Sequence, residues 1–185
     1  MRVRTYAEGD VPGRAAAAAE ALREREWPGG GPHDPALRPV AMLLCSAEDE
    51  VVAALDVLFK DVAHAGRVYR AAGLSAVVTD PAHRGSGNGR RLVAAAREWI
   101  AAQGVDLGLF TCDRPLRGFY ESAGWEVLEG TVLVGGTPED PFPSDGPGFG
   151  KVTMAGFFTA RARRDADAFR GCRVGLYPGG IDRLW

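Results

Sequence analysis

Cysteine is scarce in this 185-residue chain. Cys45, Cys112 and Cys172 are odd in number, widely separated and free of any C-x-x-C pair. That argues against a disulfide framework and for a reduced, cytoplasmic setting. Histidine is equally sparse: His33, His64 and His83 fall in no H-x-x-x-H or H-x-E pattern. They read as surface or loop residues, and no metal site is expected. No apolar run approaches the ~20 residues that span a bilayer. The basic start Met1–Tyr6 meets Glu8 and Asp10 where a signal peptide would carry an apolar stretch. A net charge of −2 excludes a domain-wide basic footprint for nucleic acid, and Arg161, Arg163 and Arg164 read as a solvated face.

Against these absences, one stretch is dense with information. An apolar run, Leu74 to Val78, stops at Pro81; a glycine-studded turn follows; a helical pattern then begins at Leu92. Glycine lets backbone approach a ligand closely, and the first amides of a helix have no internal partners. A helix end of this kind attracts anions, so a diphosphate is its natural guest. The spacing fits neither the dinucleotide fingerprint nor the nucleotide P-loop, because Gly89 follows Gly87 too soon and no Gly-Lys-Ser/Thr occurs.

The rest of the chain alternates strands and helices. Strands are expected at Arg2–Tyr6, Val40–Ser46, Val51–Phe59, Val68–Thr79, Val105–Thr111, Trp125–Val134 and Lys151–Thr159. Asp10 is placed to cap a helix over Ala15–Glu26, which Pro28–Gly29–Gly30–Gly31–Pro32 terminates. Lys60–Arg67 reads as a connection, Ala71–Ala72–Gly73 as a bend, Arg114–Ala123 as a short helix and Gly135–Gly150 as a loop. This order implies an α/β (α+β) fold: a single mixed, mostly antiparallel sheet of six to seven strands with helices on both faces. One domain is expected over residues 1–159, with 160–185 packing back on it as a tail.

Two motifs carry a family resemblance. Arg84, Gly87 and Gly89 form R-x-x-G-x-G, and Phe119–Tyr120 precede Gly124–Trp125 as F-Y-x-x-x-G-W. In this order and spacing they resemble the Gcn5-related N-acetyltransferases over roughly residues 1–159. The resemblance implies acetyl-coenzyme A as co-substrate and no metal. The pantetheine arm would lie against Val77, Val78 and Thr79, with a backbone N–H near Val78 facing the thioester carbonyl. The diphosphate would be held by Arg84, Gly85, Ser86, Gly87, Asn88, Gly89 and Arg90, and Tyr120 would protonate the departing sulfur.

More narrowly, the chain resembles the aminoglycoside 2′-N-acetyltransferases in Thr137–Pro138–Glu139–Asp140, in Thr111, and in Asp182–Arg183–Leu184–Trp185. That implies an acceptor site drawn from Ser75, Thr111, Asp113, Asp140, Asp182 and Trp185. It departs from that group at Ser75, where a glutamate is usual, so the base stays open among Asp56, Asp113, Asp140 and solvent. Asp113 is equally placed to cap the helix after it. The expected reaction is direct acetyl transfer in a ternary complex to a small polycationic amine, for which the resemblance implies an aminoglycoside. An amino acid, peptide or other metabolite amine, or a non-catalytic acyl-coenzyme A binding module, stay open as alternatives. The expected partner is that small amine, with no nucleic acid and no membrane; a homodimer stays open.

Overall fold

The computed structural model describes residues 1–177. The chain opens with β1 (Arg2–Ala7) and α1 (Gly13–Glu26), followed by three long strands, β2 (Val40–Cys45), β3 (Val51–His64) and β4 (Arg67–Thr79). Next come α2 (Asn88–Ala102), β5 (Leu107–Asp113), α3 (Arg117–Ser122), β6 (Glu126–Val127) and β7 (Val132–Gly136). The last elements are β8 (Pro141–Pro143), β9 (Lys151–Phe157), α4 (Ala160–Arg164) and β10 (Arg173–Gly175).

Seven strands form the main sheet in the order β1-β2-β3-β4-β5-β9-β6, and within it only β4 and β5 run parallel. The sheet is mixed and mostly antiparallel, as its strand order implied. Helices cover both faces. On one, Ala19 and Leu22 of α1 pack with Leu43, Cys45, Ala54 and Val78. On the other, Leu92, Val93, Ala96 and Ile100 of α2 are fully enclosed in the larger core. Their i, i+1, i+4, i+8 spacing is the apolar stripe of an amphipathic helix.

Several expectations need correction. Asp10 does not cap α1: it lies in a 3-10 turn, and the N-cap is Pro12 without a side-chain bond. Residues 60–67 are not a connection, because β3 runs to His64 and turns within two residues, Ala65 and Gly66, at φ 48° and 72°. Two positive φ angles match the right-handed twist of a hairpin, so the turn is short and the strands are long. The distortion expected at Ala71–Gly73 falls instead at Ala76, whose φ is 49°.

Trp125–Val134 is not one strand. Gly130 turns the chain at φ 71°, and β7 leaves the main sheet for a small one, ordered β10-β7-β8. Pro141–Pro143, expected as loop, supplies β8. The segment after residue 159 supplies β10, parallel to β7, and buries Phe169 completely against Tyr69, His64 and Phe157. Thr131 Oγ1 donates to the Phe169 carbonyl at 2.6 Å and ties the two segments together.

Candidate active site

The site begins where two parallel strands part. β4 and β5 are paired at Ala71–Leu107 and Ala72–Gly108 and at no later position. Beyond them the strands diverge, and backbone that would have paired across the sheet opens into a wedge. A bulge deepens it: Asp56 pairs with Ser75 and Ala54 with Val78, so Ala76 and Val77 together oppose Leu55. A bulge bends its strand and leaves the extra residue outside the ladder.

The ladder also decides which amides face the wedge. Asp80 N–H donates to the Val52 carbonyl at 2.9 Å, one step beyond the Thr79–Ala53 pair. Hydrogen-bonded and non-bonded pairs alternate along antiparallel strands. The Val78 amide is therefore turned toward Ala54, and on the open side it is the Val77 amide that is offered. The Val78 side chain is buried against α1.

The wedge opens into a cleft of about 1100 Å³. Ser75, Ala76 and Val77 form one wall and Thr111, Cys112 and Asp113 of β5 the facing one, with Tyr120 of α3 between them. α1 and the Gly30–His33 loop close one side, and Phe142 and Phe149 also line the cleft. Of the expected acceptor residues, Ser75, Thr111 and Asp113 are thus brought together. Asp140 is not: it is exposed in the β7–β8 turn, where its amide bonds Thr137 Oγ1 at 3.1 Å. Asp182 and Trp185 lie outside the described residues. Asp113 makes no cap; it pairs with Lys151 Nζ at 2.7 Å.

Tyr120 is 6% exposed, and its phenol is raised well above the ordinary value by burial, with Cys112 and Asp113 adding to the rise. It therefore keeps its proton at any working pH and can act as a donor. Burial, helped by the Asp113 charge, also pushes the Cys112 thiol up to about 11. The thiol therefore stays protonated near neutral pH, so Cys112 is a poor nucleophile.

Beyond Thr79 lies the glycine loop. Gly85 and Gly87 have φ of 76° and 75° with open space where a Cβ would stand, and residues 84–87 are exposed. Gly87 is also the N-cap of α2, with no side chain capping the first amides. Exposed, uncapped amides after a left-handed glycine suit an anion such as a diphosphate. Arg84 is engaged elsewhere, with Glu26 and, through Nε, with the Thr79 carbonyl at 3.1 Å. Ser86 and Arg90 stay exposed. Asn88 braces the loop from inside, its amide donating to the His83 carbonyl at 3.2 Å. Gly89 answers a packing need: a Cβ there would stand 2.8 Å from Thr79 Oγ1 and 3.4 Å from the Phe119 ring.

The F-Y-x-x-x-G-W segment has a structural reason as well. Gly108 and Gly156 face each other across β5 and β9, and the Trp125 ring lies over both. A Cβ on Gly108 would meet that ring at 2.5 Å, so the tryptophan anchors α3, and with it Tyr120, against a slot made by two glycines.

Glu8, Arg23 and His33 also line the cleft, and none of them was anticipated. Arg23 donates to Asp56 Oδ1 at 2.8 Å, and His33 Nε2 lies 3.2 Å from Asp56 Oδ2. Atoms of Glu8, His33 and Asp56 stand within 4.8 Å of one another. A guanidinium already fills the Asp56 side of that group, which makes it a charge network. No sequence signal pointed to His33, because it follows a glycine- and proline-rich stretch with no period to read.

Among the described residues no helix is long and apolar enough to cross a membrane. No curated protein matches the chain. Solved structures do. It is similar to Escherichia coli ElaA with a TM-score of 0.57 and 18% identity, covering 83% of this chain and 97% of that one. It is similar to an acyl-CoA N-acyltransferase from Pseudomonas aeruginosa with a TM-score of 0.55 and 16% identity, covering 83% and 97%. A Trypanosoma brucei acetyltransferase gives a TM-score of 0.52 at 18% identity, covering 66% and 90%. At such identities these establish the fold. The acetyltransferase (GNAT) domain profile matches residues 2–128, the span that builds the parted strands, the glycine loop and the Tyr120 helix, and the chain belongs to that family of N-acetyltransferases.

Proposed function

We propose that the protein moves the acetyl group of acetyl-coenzyme A directly to a primary amine of a small cationic acceptor in a ternary complex. The observation that carries this reading is the meeting of the parted strands and the protonated Tyr120 in one cleft whose charged lining is mostly acidic. Glu8, Glu20, Asp56 and Asp113 line it against Arg23 and Lys151, an excess of carboxylates that favours a cation over an anion.

In this reading the glycine loop and the first amides of α2 hold the diphosphate, and Arg90 adds a charge-assisted bond. The pantetheine arm runs along the open edge of β4. The Val77 amide points at the thioester oxygen, where one such donor contributes about 2.7–4 kcal/mol to the transition state. Tyr120 gives its proton to the sulfur as the C–S bond breaks. The high Cys112 pKa supports direct transfer over an acetyl-enzyme.

Aminoglycosides fall within the proposed acceptor class because they are polycations. Thr111 in the cleft supports them, while the position of Asp140 outside it removes one of the residues expected to bind them. Thiol release from acetyl-coenzyme A, measured against aminoglycosides, spermidine, lysine and simple peptides, tests the reading. A cationic acceptor should be turned over in preference to neutral or acidic amines. Calorimetric binding of acetyl-coenzyme A with no thiol release across the panel would favour a non-catalytic acyl-coenzyme A module instead.

A further inference from the structure

A second cavity, of about 310 Å³, opens toward the other end of β5. Gly156 and Phe157 of β9 line it and are paired with Gly108 and Leu107, whereas the acetyl-transfer cleft is lined at Thr111, Cys112 and Asp113. From α2 it takes Arg97, nine positions after Asn88 and so ~13 Å along the helix from the glycine loop. The rest of its charged lining is Glu126, Arg163 and Arg170.

Three guanidiniums against one carboxylate leave an excess of positive charge. Arg170 is compensated, by Glu126 at 3.1 Å and Asp167 at 3.6 Å. Arg97 and Arg163 pair with no carboxylate among the described residues. Arg97 lies over the Phe158 ring, 5.5 Å from its centroid, a contact that takes a flat face of the guanidinium and leaves its N–H edge. Its Nε is buried with no acceptor among the described residues, a costly state for a donor. Arg163 is held through its own Nε, which donates to the Phe157 carbonyl at 3.2 Å and leaves the terminal nitrogens for another acceptor. The ladder adds a further donor. Phe158 N–H donates to the Asp106 carbonyl at 2.8 Å, on the β5 side, so alternation directs the Phe157 N–H to the opposite edge. β6 pairs with β9 only at Met154 and Ala155, and that edge is open at Phe157.

We propose that this cavity binds a phosphate group, as inorganic phosphate or carried on a small phosphomonoester, at a site separate from the one that holds the cofactor's diphosphate. The two uncompensated guanidiniums match the charge of a phosphate dianion. Arginine suits this ligand because its fixed fork of donors can meet two phosphate oxygens at once. Donors that arrive from α2, from α4 and from the β9 edge also converge from different directions. A tetrahedral oxyanion accepts from all of them, whereas a carboxylate offers its oxygens in one plane.

The test titrates inorganic phosphate into the isotope-labelled full chain saturated with coenzyme A, which occupies the glycine loop, and follows the Phe157 amide and the arginine Nε–H signals by NMR. Phosphate should shift Phe157 and Arg97 saturably, and sodium chloride at matched ionic strength should not. Arg97→Gln and Arg163→Gln should each weaken phosphate by about tenfold or more, the scale of one charge-assisted bond removed. Unchanged calorimetric affinity for coenzyme A marks each variant as folded, and the exposed Arg163 carries the test if Arg97→Gln does not fold. Glycerol 3-phosphate separates the two sources: tighter binding than phosphate assigns the site to a phosphomonoester, equal or weaker binding assigns it to phosphate itself, and both support the proposal. Succinate, a dianion of planar carboxylates, should bind more weakly than phosphate. Shifts that chloride reproduces, a loss under threefold in the folded variants, or succinate binding as tightly as phosphate would each overturn the site. Shifts that appear only without coenzyme A would place phosphate in the cofactor's own loop and overturn it as well.

Discussion

Tyr120→Phe removes one oxygen and leaves the ring, so it separates chemistry from packing. The ring meets Phe110 and Phe119 edge-on at centroid distances of 5.1 and 5.0 Å, contacts that phenylalanine keeps. Folding stability should therefore change by no more than about 1 kcal/mol, the net value of one hydroxyl hydrogen bond. The chemical step is another matter. Without its general acid, sulfur must leave as a thiolate, and the rate should fall by about 10²–10⁴-fold, which corresponds to roughly 2.7–5.5 kcal/mol of barrier. The raised phenol pKa adds a sign: the wild type loses no proton donor between pH 7 and pH 10, so the ratio of wild type to variant should stay level across that range. Rapid-quench single turnover at saturating acetyl-coenzyme A isolates this step, and calorimetry checks that cofactor affinity is preserved. A fall of less than threefold would make Tyr120 a core aromatic, and a ratio that collapsed below pH 10 would contradict the burial argument.

The two loop glycines should fail differently. Gly87→Ala forces a side chain into left-handed backbone and should cost about 1–2 kcal/mol in thermal unfolding, whereas Gly89→Ala drives a Cβ against Thr79 Oγ1. Adding Thr79→Ala to Gly89→Ala should recover part of that loss, and strictly additive costs would refute the clash. Asp106→Asn should destabilise the fold by about 1–2 kcal/mol at pH 7. Burial alone would raise this carboxyl, but bonds from the Arg70 amide, Arg161 and Thr159 hold it below the ordinary range. The stability it supplies is present above about pH 4 and lost as pH falls through the lower folded value, so the variant's acid unfolding curve should be shallower. Lys60 is buried with no partner for Nζ among the described residues, and burial lowers it to about 8. The unfolded chain binds more protons between pH 8 and 10.5, so wild-type stability should rise over that window. Lys60→Met should flatten that rise and gain about 1 kcal/mol at pH 7 after allowing for partial solvation; a loss in chemical denaturation would refute it.

The features legible in the sequence were those that local physics controls. The strand, glycine turn and helix from Leu74 to Ala102 could be read in order because left-handed glycines, an apolar stripe and a proline stop each act within a few residues. Tyr120 was legible for a related reason: left-handed Gly124 lies just past the end of α3, and the Trp125 beside it marks the anchor. The Gly108–Gly156 slot that receives this tryptophan joins strands nearly fifty positions apart, and no local pattern announces it.

Where the chain had a choice of partner, only the tertiary structure decided. Leu128–Val134 is apolar enough to continue the strand before it, yet β7 pairs with a segment some forty residues later, and one left-handed glycine makes the exchange possible. The bulge at Ala76 followed no proline or glycine; it arises because two residues of β4 oppose one of β3, a count set by the register of both strands. His33 belongs to the same class. Propensity describes what a residue does to its own backbone, whereas its place beside Asp56 depends on α1, a loop and β3 folding against one another. The sequence thus determined the strand–glycine turn–helix unit and the helix that carries Tyr120, and the tertiary structure decided the pairing of β7, the bulge in β4 and which side chains share the cleft.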